Sequence, residues 1–236
     1  MSEQERIKFK IKSIDSKRWW GDNFDVRFFL VSQLKFIVKK NILDVGGGIG
    51  IISSELDNSN LRINLDSSFD DLRKCLNNND SKIQCVCASM TNLPFKKEFF
   101  DYVICANILE VAKSIDLEYD QKRIEYPTVN KTLEEIKRIL KISGIVFLTT
   151  PNNSYYKSIK LTFAELKSSI SIFNDSKIYF YNTHIKISKN RKLNMANIIP
   201  KLKSKFINSD KIIQNLVKEN TKNNYSVSFF VKAIKN

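Results

Sequence analysis

One short stretch does most to limit the folds open to this chain. Leu43-Asp44-Val45-Gly46-Gly47-Gly48-Ile49-Gly50 closes the apolar run NILDV (41–45) and holds four of the chain's six glycines. Glycines at 46, 48 and 50 let the backbone turn tightly and let a ligand approach the main chain closely. The next segment, IGIISSEL (49–56), reads as a helix, whose free N–H groups and positive dipole end suit an anionic group. Strand, glycine turn and helix in this order open a βαβ unit.

The alternation continues. LRINLD (61–66) reads as a strand and SFDDLRKCL (68–76) as a helix that begins at a Ser68 cap. KIQCVC (82–87) and DYVICA (101–106) read as the next two strands. TVNKTLEEIKRIL (128–140) places Leu133, Ile136 and Ile139/Leu140 on one helical face, with Thr132 and Glu135 spaced as a capping box. GIVFLTT (144–150) is a fifth strand stopped by Pro151, and TFAELKSSISIF (162–173) is a helix. Upstream, Phe24, Phe28, Val31, Leu34 and Val38 recur at helical spacing in 24–39. Strands separated by such helices favour a parallel sheet with helices on both faces.

The tail departs from this pattern. KIYFYNTHI (177–185) and YSVSFFVKAI (225–234) are strand-like, with no strand-forming run between them. Antiparallel pairing of the two would leave 186–224 as an excursion, in which Ile212, Ile213, Leu216 and Val217 have helix-like spacing. No repeat or Pro/Gly-rich linker divides the chain, so a single domain is expected. Its parts are an N-terminal helical or lid segment (1–39), a core (40–185), a basic insertion (186–224) and a last strand (225–236).

Composition narrows the class of protein. A hydrophobic share of 42% and a charged share of 27% are those of an ordinary globular protein. No run approaches the ~20 apolar residues of a membrane-spanning helix, and MSEQERIKFK is not a secretory leader. Cys75, Cys85, Cys87 and Cys105 form no CxxC pair, so neither a zinc site nor a disulfide framework is expected, and a reducing cytoplasm is. Cys85 and Cys87, two apart on one strand face, read as core packing. The net charge of +14 belongs to the last third, where residues 156–236 carry 16 Lys/Arg against 4 Asp/Glu. Two readings fit it: a footprint for nucleic acid, anionic lipid or an acidic substrate, or compositional drift.

The glycine spacing discriminates further. The dinucleotide fingerprint G-x-G-x-x-G would need glycine at Ile51 or Ser53, and both registers fail. The pattern found, acidic-x-G-x-G-x-G, resembles that of class I S-adenosylmethionine (SAM)-dependent methyltransferases, the group that includes quinone-biosynthesis and sugar or lipid methyltransferases. Asp66, which ends the second strand 20 residues after Gly46, stands where a carboxylate can accept from both ribose hydroxyls. Ala88-Ser89-Met90-Thr91-Asn92-Leu93-Pro94-Phe95 resembles the family's adenine-flanking loop. FFDYVICANILEV (99–111) resembles its fourth strand with the following loop, and EEIKRILKISGIVFLTTPN (134–152) its next helix, turn and strand.

The resemblance covers roughly 40–152. It implies a Rossmann-like, seven-stranded, mostly parallel sheet with an antiparallel last strand and helices on both faces. It also implies a cofactor site made by Asp44, Gly46, Gly47, Gly48, Gly50, Asp66, Ser67, Ser89, Met90 and Asn107. The chain departs from the family at three places. Ser89 stands where many relatives have an aspartate, Val111 or Ala112 where they often have a histidine, and Lys141-Ile142-Ser143-Gly144 replaces Lys-Pro-Gly-Gly.

Several roles stay open at this level. Asp44 either orients the methionine amino group through water or caps local backbone. Asn107 either touches cofactor or acceptor or makes a loop turn. Trp19 and Trp20 form a lid or an anchor, and His184 reads as a strand residue. Three functions follow: transfer of a methyl group to a small-molecule, glycan or lipid acceptor, RNA methylation using the basic third, or a silent SAM-binding partner protein. No general base stands out.

Overall fold

The computed structural model describes residues 30–31, 33–78, 82–119, 125–151, 160–181, 184–188, 191–194, 217–218 and 228–236. Its centre is a sheet of β1 (Asn41–Val45), β2 (Leu61–Asp66), β3 (Ile83–Cys87), β4 (Phe100–Ala106), β5 (Leu140–Pro151), β6 (Asp175–Tyr181), β9 (Val217–Lys218) and β10 (Ser228–Ile234). A separate hairpin pairs β7 (His184–Ser188) with β8 (Arg191–Asn194). The helices are α1 (Phe69–Asn78), α2 (Leu109–Tyr119), α3 (Pro127–Ile139) and α4 (Phe163–Ile170).

The sheet order is β3-β2-β1-β4-β5-β10-β6-β9. β3 to β5 pair in parallel, and β10 lies antiparallel between β5 and β6. The mostly parallel sheet with an antiparallel last strand is therefore present, widened by the two-residue β9. The tail strands pair as expected, from Ser228↔Tyr181 to Ile234↔Asp175. Because Ser228 also faces Pro151, the chain between β6 and β10 leaves and returns at the carboxyl edge of the parallel strands.

Strand alternation sorts the core into two layers. Leu43, Val45, Ile63, Leu65, Val103, Cys105, Val146 and Leu148 face α2, α3 and α4 through Leu109, Leu133, Ile136, Leu166 and Ile170. Ile42, Ile104, Phe147 and Phe230 face the other way, toward Leu30, Leu34, Ile52 and Leu56. Fully burying each such side chain contributes about 1.5–3 kcal/mol. α1 packs on β2 and β3, with Leu72 and Cys75 buried.

Several expectations are corrected. The segment 49–56 is not an α-helix but turns and a 3-10 turn at Ser53–Glu55. Gly50 has φ +74°, and 57–60 is taken by a turn in which Ser59 N–H donates to Asp57 Oδ1 at 2.8 Å. Too little chain is left between them for a stable α-helix. Thr132 and Glu135 do not cap α3, which starts earlier at Pro127. Asp116 of α2 accepts from Thr128 N–H there, at 3.1 Å. A capping box exists instead at Thr162 and Glu165 of α4.

The loop expected after the fourth strand contains α2. β8 and β9 are strands between β6 and β10, where none was expected, and Val217 lies in β9. KIYFYNTHI divides into β6 and β7, so His184 begins a hairpin. Val38 is half exposed, and the helical residues 30–31 and 33–34 give way to a turn before it. Cys85 and Cys87 are not core: β3 is a sheet edge, where Cys85 is half-buried and Cys87 exposed. Phe24, Phe28, Trp19 and Trp20 lie outside the described residues, as do 195–216. Among the described residues no helix is long and apolar enough to cross a membrane.

Candidate functional site

The carboxyl ends of β1, β2, β3 and β4 converge on the glycine loop. Gly46, Gly48 and Gly50 all lie at positive φ, at +67°, +53° and +74°. Gly46 N–H and Gly47 N–H donate to Leu65 O at 2.7 and 3.2 Å, which turns the loop toward β2. Gly48 N–H donates to Asp66 Oδ2 at 2.9 Å, and Ser68 N–H to Asp66 Oδ1 at 2.9 Å. Each carboxylate oxygen can accept a further bond, so Asp66 retains capacity for hydroxyl donors.

The space around each glycine differs. A Cβ on Gly46 would strike the side chain of Ile108, and one on Gly47 would strike Asn64 Oδ1 and the Asp44 carboxyl. A Cβ on Gly48 would meet only Asp66 Oδ2, at 3.9 Å. The open side of Gly48 is thus lined by the Asp66 carboxylate. The main chain of the loop, however, is already partnered at several points: Gly50 N–H donates to Gly47 O at 2.9 Å, besides the bonds above. With no α-helix following, the expected helix-dipole cradle for an anion is absent.

Asp44 is buried and accepts from Ser53 Oγ at 3.1 Å. Ser67 is exposed beyond Asp66, and its carbonyl accepts from Cys87 Sγ at 3.7 Å. After β3, Ser89 is exposed and its hydroxyl pairs with Thr91 Oγ1 at 2.9 Å, while Met90 packs against the core. Asn107, after β4, has φ +58°, donates its N–H to Thr149 O at 2.8 Å and accepts from Thr149 Oγ1 at 3.2 Å. That geometry is a turn role, since Asn tolerates the left-handed region better than most residues. Val111 and Ala112 lie within α2.

Other residues hold this site together. Asn64 Nδ2 donates to Gly48 O at 2.7 Å from a fully buried position on β2. Glu135 Oε2 accepts from Leu93 N–H at 2.9 Å, and Arg138 donates to Phe95 O and Leu93 O at 2.7 and 2.8 Å. This pair on α3 ties down the loop that carries Ser89 and Met90. The Arg138 guanidinium beside Glu135 holds its carboxyl below the usual glutamate range. The sequence signal for Asn64 was a polar residue inside an apolar strand; for Glu135 and Arg138 there was only helical charge spacing. Burial pushes the Cys105 thiol far up, so it is no nucleophile.

Residues 43–148 match the family model of the methyltransferase domain. An uncharacterised protein of Methanocaldococcus jannaschii is 32% identical over 155 residues, covering 64% of this chain and 55% of that protein. The chain thus spans about half the length of this curated relative. A SAM-dependent methyltransferase of Thermotoga maritima superposes with a TM-score of 0.58 at 12% identity, over 99% of both chains. The plantazolicin methyltransferase BpumL, solved with a triazolic desmethylPZN analogue and S-adenosylhomocysteine (SAH), gives a TM-score of 0.59 at 16% identity, over 97% of this chain and 91% of that one. These likenesses are of fold. Residues 43–148 thus match a methyltransferase-domain model, on a sheet whose fold is shared with solved SAM-dependent methyltransferases and with the glycine loop at the carboxyl end of β1.

Proposed function

We propose that the chain transfers a methyl group from SAM to a small-molecule, glycan or lipid-type acceptor in a reducing compartment. The observation that carries this reading is the open face of Gly48 beside the Asp66 carboxylate, at the carboxyl edge of a parallel sheet where ligands of this fold class bind. Asp66 accepts from the ribose hydroxyls, with Ser67 at its margin. Ser89 and Met90 flank the adenine. The loop Gly46, Gly47, Gly48 and Gly50 passes along the cofactor, Asp44 orients its amino group and Asn107 shapes the turn facing the acceptor.

The cofactor brings the reactivity, an activated methyl on a sulfonium. The chain's own residues then need only hold donor and acceptor in line and keep water out. A dedicated base is not required where the acceptor ionises readily.

Titration calorimetry is expected to show binding of SAM and SAH and none of NAD. Preferential NAD binding would overturn the reading. Asp66→Ala should weaken SAM binding by about 1–3 kcal/mol, the scale of hydrogen bonds to a charged group. Unchanged affinity in a folded Asp66→Ala protein would displace the ribose site from Asp66.

The chain between β6 and β10 is proposed to cap the acceptor side within a single domain, because it departs and returns at the same edge as the glycine loop. Its Lys201, Lys203 and Lys205 belong to the strongly basic last third. Neutralising the three together should leave SAM affinity unchanged and lower turnover or binding to polyanions and anionic vesicles. Equal turnover with unchanged salt dependence would assign the charge to solubility. The same basic third supports the second reading, RNA methylation, which labelled-SAM transfer into RNA fractions would reveal. SAM binding with no transfer to any fraction would favour a silent partner protein.

A further inference from the structure

Beneath the glycine loop, β1 and β2 carry a column of polar side chains, whereas Leu43, Val45, Ile63 and Leu65 on the opposite face are apolar. Arg62, Asn64 and Asp66 alternate onto one face of β2, and the parallel register sets Asp44 of β1 beside Asn64. Arg62, Asn64, Asp44 and Ser53 are each no more than 1% exposed. The column is linked. Arg62 Nη1 donates to Ser53 O at 3.4 Å and to Leu56 O at 3.3 Å, holding the 3-10 turn from below. Ser53 Oγ in turn donates to Asp44 Oδ2 at 3.1 Å. On the neighbouring branch, Asn64 Nδ2 holds Gly48 O.

Stability alone does not explain this arrangement. Arg62 Nε and Nη2 are buried with no hydrogen-bond partner, and an unsatisfied buried polar group costs about 1–3 kcal/mol. Leucine at 62 would extend the apolar cluster of Ile42, Ile52 and Leu56 without that penalty. Local rules broken at such cost gather where a site must be held in shape. What the column holds is specific. Arg62 fixes the main chain of Ser53, and the Ser53 hydroxyl fixes the rotamer of the Asp44 carboxylate.

We propose that Ser53 and Arg62 are positioning residues for the amino-acid end of the cofactor, acting through Asp44. The inference rests on the site reading above, in which Asp44 serves the methionine amino group. It assigns the β1–β2 crossover to one half of the ligand: the ribose and adenine are served by Asp66, Ser89 and Met90, which the column does not touch through Ser53.

Ligand halves make this testable. SAH carries the amino acid, whereas 5′-methylthioadenosine keeps the adenosine and lacks it. Ser53→Ala removes one oxygen from a site that stays packed, so it should fold. It is expected to lose about tenfold in SAH affinity, equal to about 1.4 kcal/mol, while methylthioadenosine binding changes less than twofold. Arg62→Met should show the same selective loss, and Arg62→Lys, which keeps a donor near Ser53 O, should recover part of it. Equal losses for both ligands in Ser53→Ala, or none for either, would overturn the positioning role. Wild-type protein that binds neither ligand would instead overturn the site reading, and this inference with it.

Discussion

Gly48→Val is expected to abolish SAM binding, with affinity falling at least a hundredfold, in a protein that still folds. At this position a Cβ meets nothing nearer than Asp66 Oδ2 at 3.9 Å, so the protein has room for the side chain. The room is the proposed ligand space, and filling it removes the close approach of ligand to main chain. The folding penalty comes from φ +53°, where a side chain costs about 1–2 kcal/mol, rather more when β-branched.

Gly47→Ala should cost stability as well as binding. Its Cβ would strike Asn64 Oδ1 and stand 2.7 Å from the Asp44 carboxyl, both in buried side chains with no freedom to move aside. Its main effect is therefore on stability. Thermal unfolding and SAH titration on both variants separate the two effects. A Gly48→Val protein that binds SAH normally would show that the ligand does not pass over this glycine.

That contrast was only half legible in the sequence. The glycine spacing marked the loop, and the apolar run before it placed it at the carboxyl end of a strand, because both are local signals. The parallel pairing within β1 to β5 and the antiparallel pairing of β6 with β10 also agree with the strand and helix pattern, though the strand order itself was not legible. The crossover does not. IGIISSEL has helix-compatible spacing, yet Gly50 and the Asp57 turn leave too little chain, and a buried arginine replaces the missing turns by holding carbonyls from below. Long-range partners of this kind have no sequence period.

The same holds for α3. The Thr132–Glu135 spacing mimicked a cap, while the real partners of Glu135 are Arg138 on its own helix and Leu93, 42 residues away. For Asn64 and Arg62 of β2, nothing local shows what covers them.

Glu135 leads to the second large effect. Its Oε2 accepts from Leu93 N–H at 2.9 Å and from Arg138 Nη2 at 2.8 Å, and Arg138 reaches on to Phe95 O and Leu93 O. Removing the carboxylate leaves a buried N–H unsatisfied and frees the guanidinium that clasps the loop. Glu135→Ala should therefore destabilise the protein by about 2–4 kcal/mol, above the range for a surface ion pair because the bond to Leu93 is buried.

The pH dependence has a fixed sign. Hydrogen bonding from Arg138 keeps the folded carboxyl below its ordinary value of 4.5. The ionised form thus contributes stability that is fully present above that value and is lost as pH falls through the lower folded value. In thermal melts, the gap between wild type and Glu135→Gln should stay constant from pH 8 to about 5 and close below 4.5. Ser89 and Met90 sit on the loop that this clasp anchors, so Glu135→Gln at neutral pH should also weaken adenosine binding. A stability gap that widens on acidification, or Glu135→Ala melting with wild type, would show that the loop is held by its apolar contacts and not by the clasp.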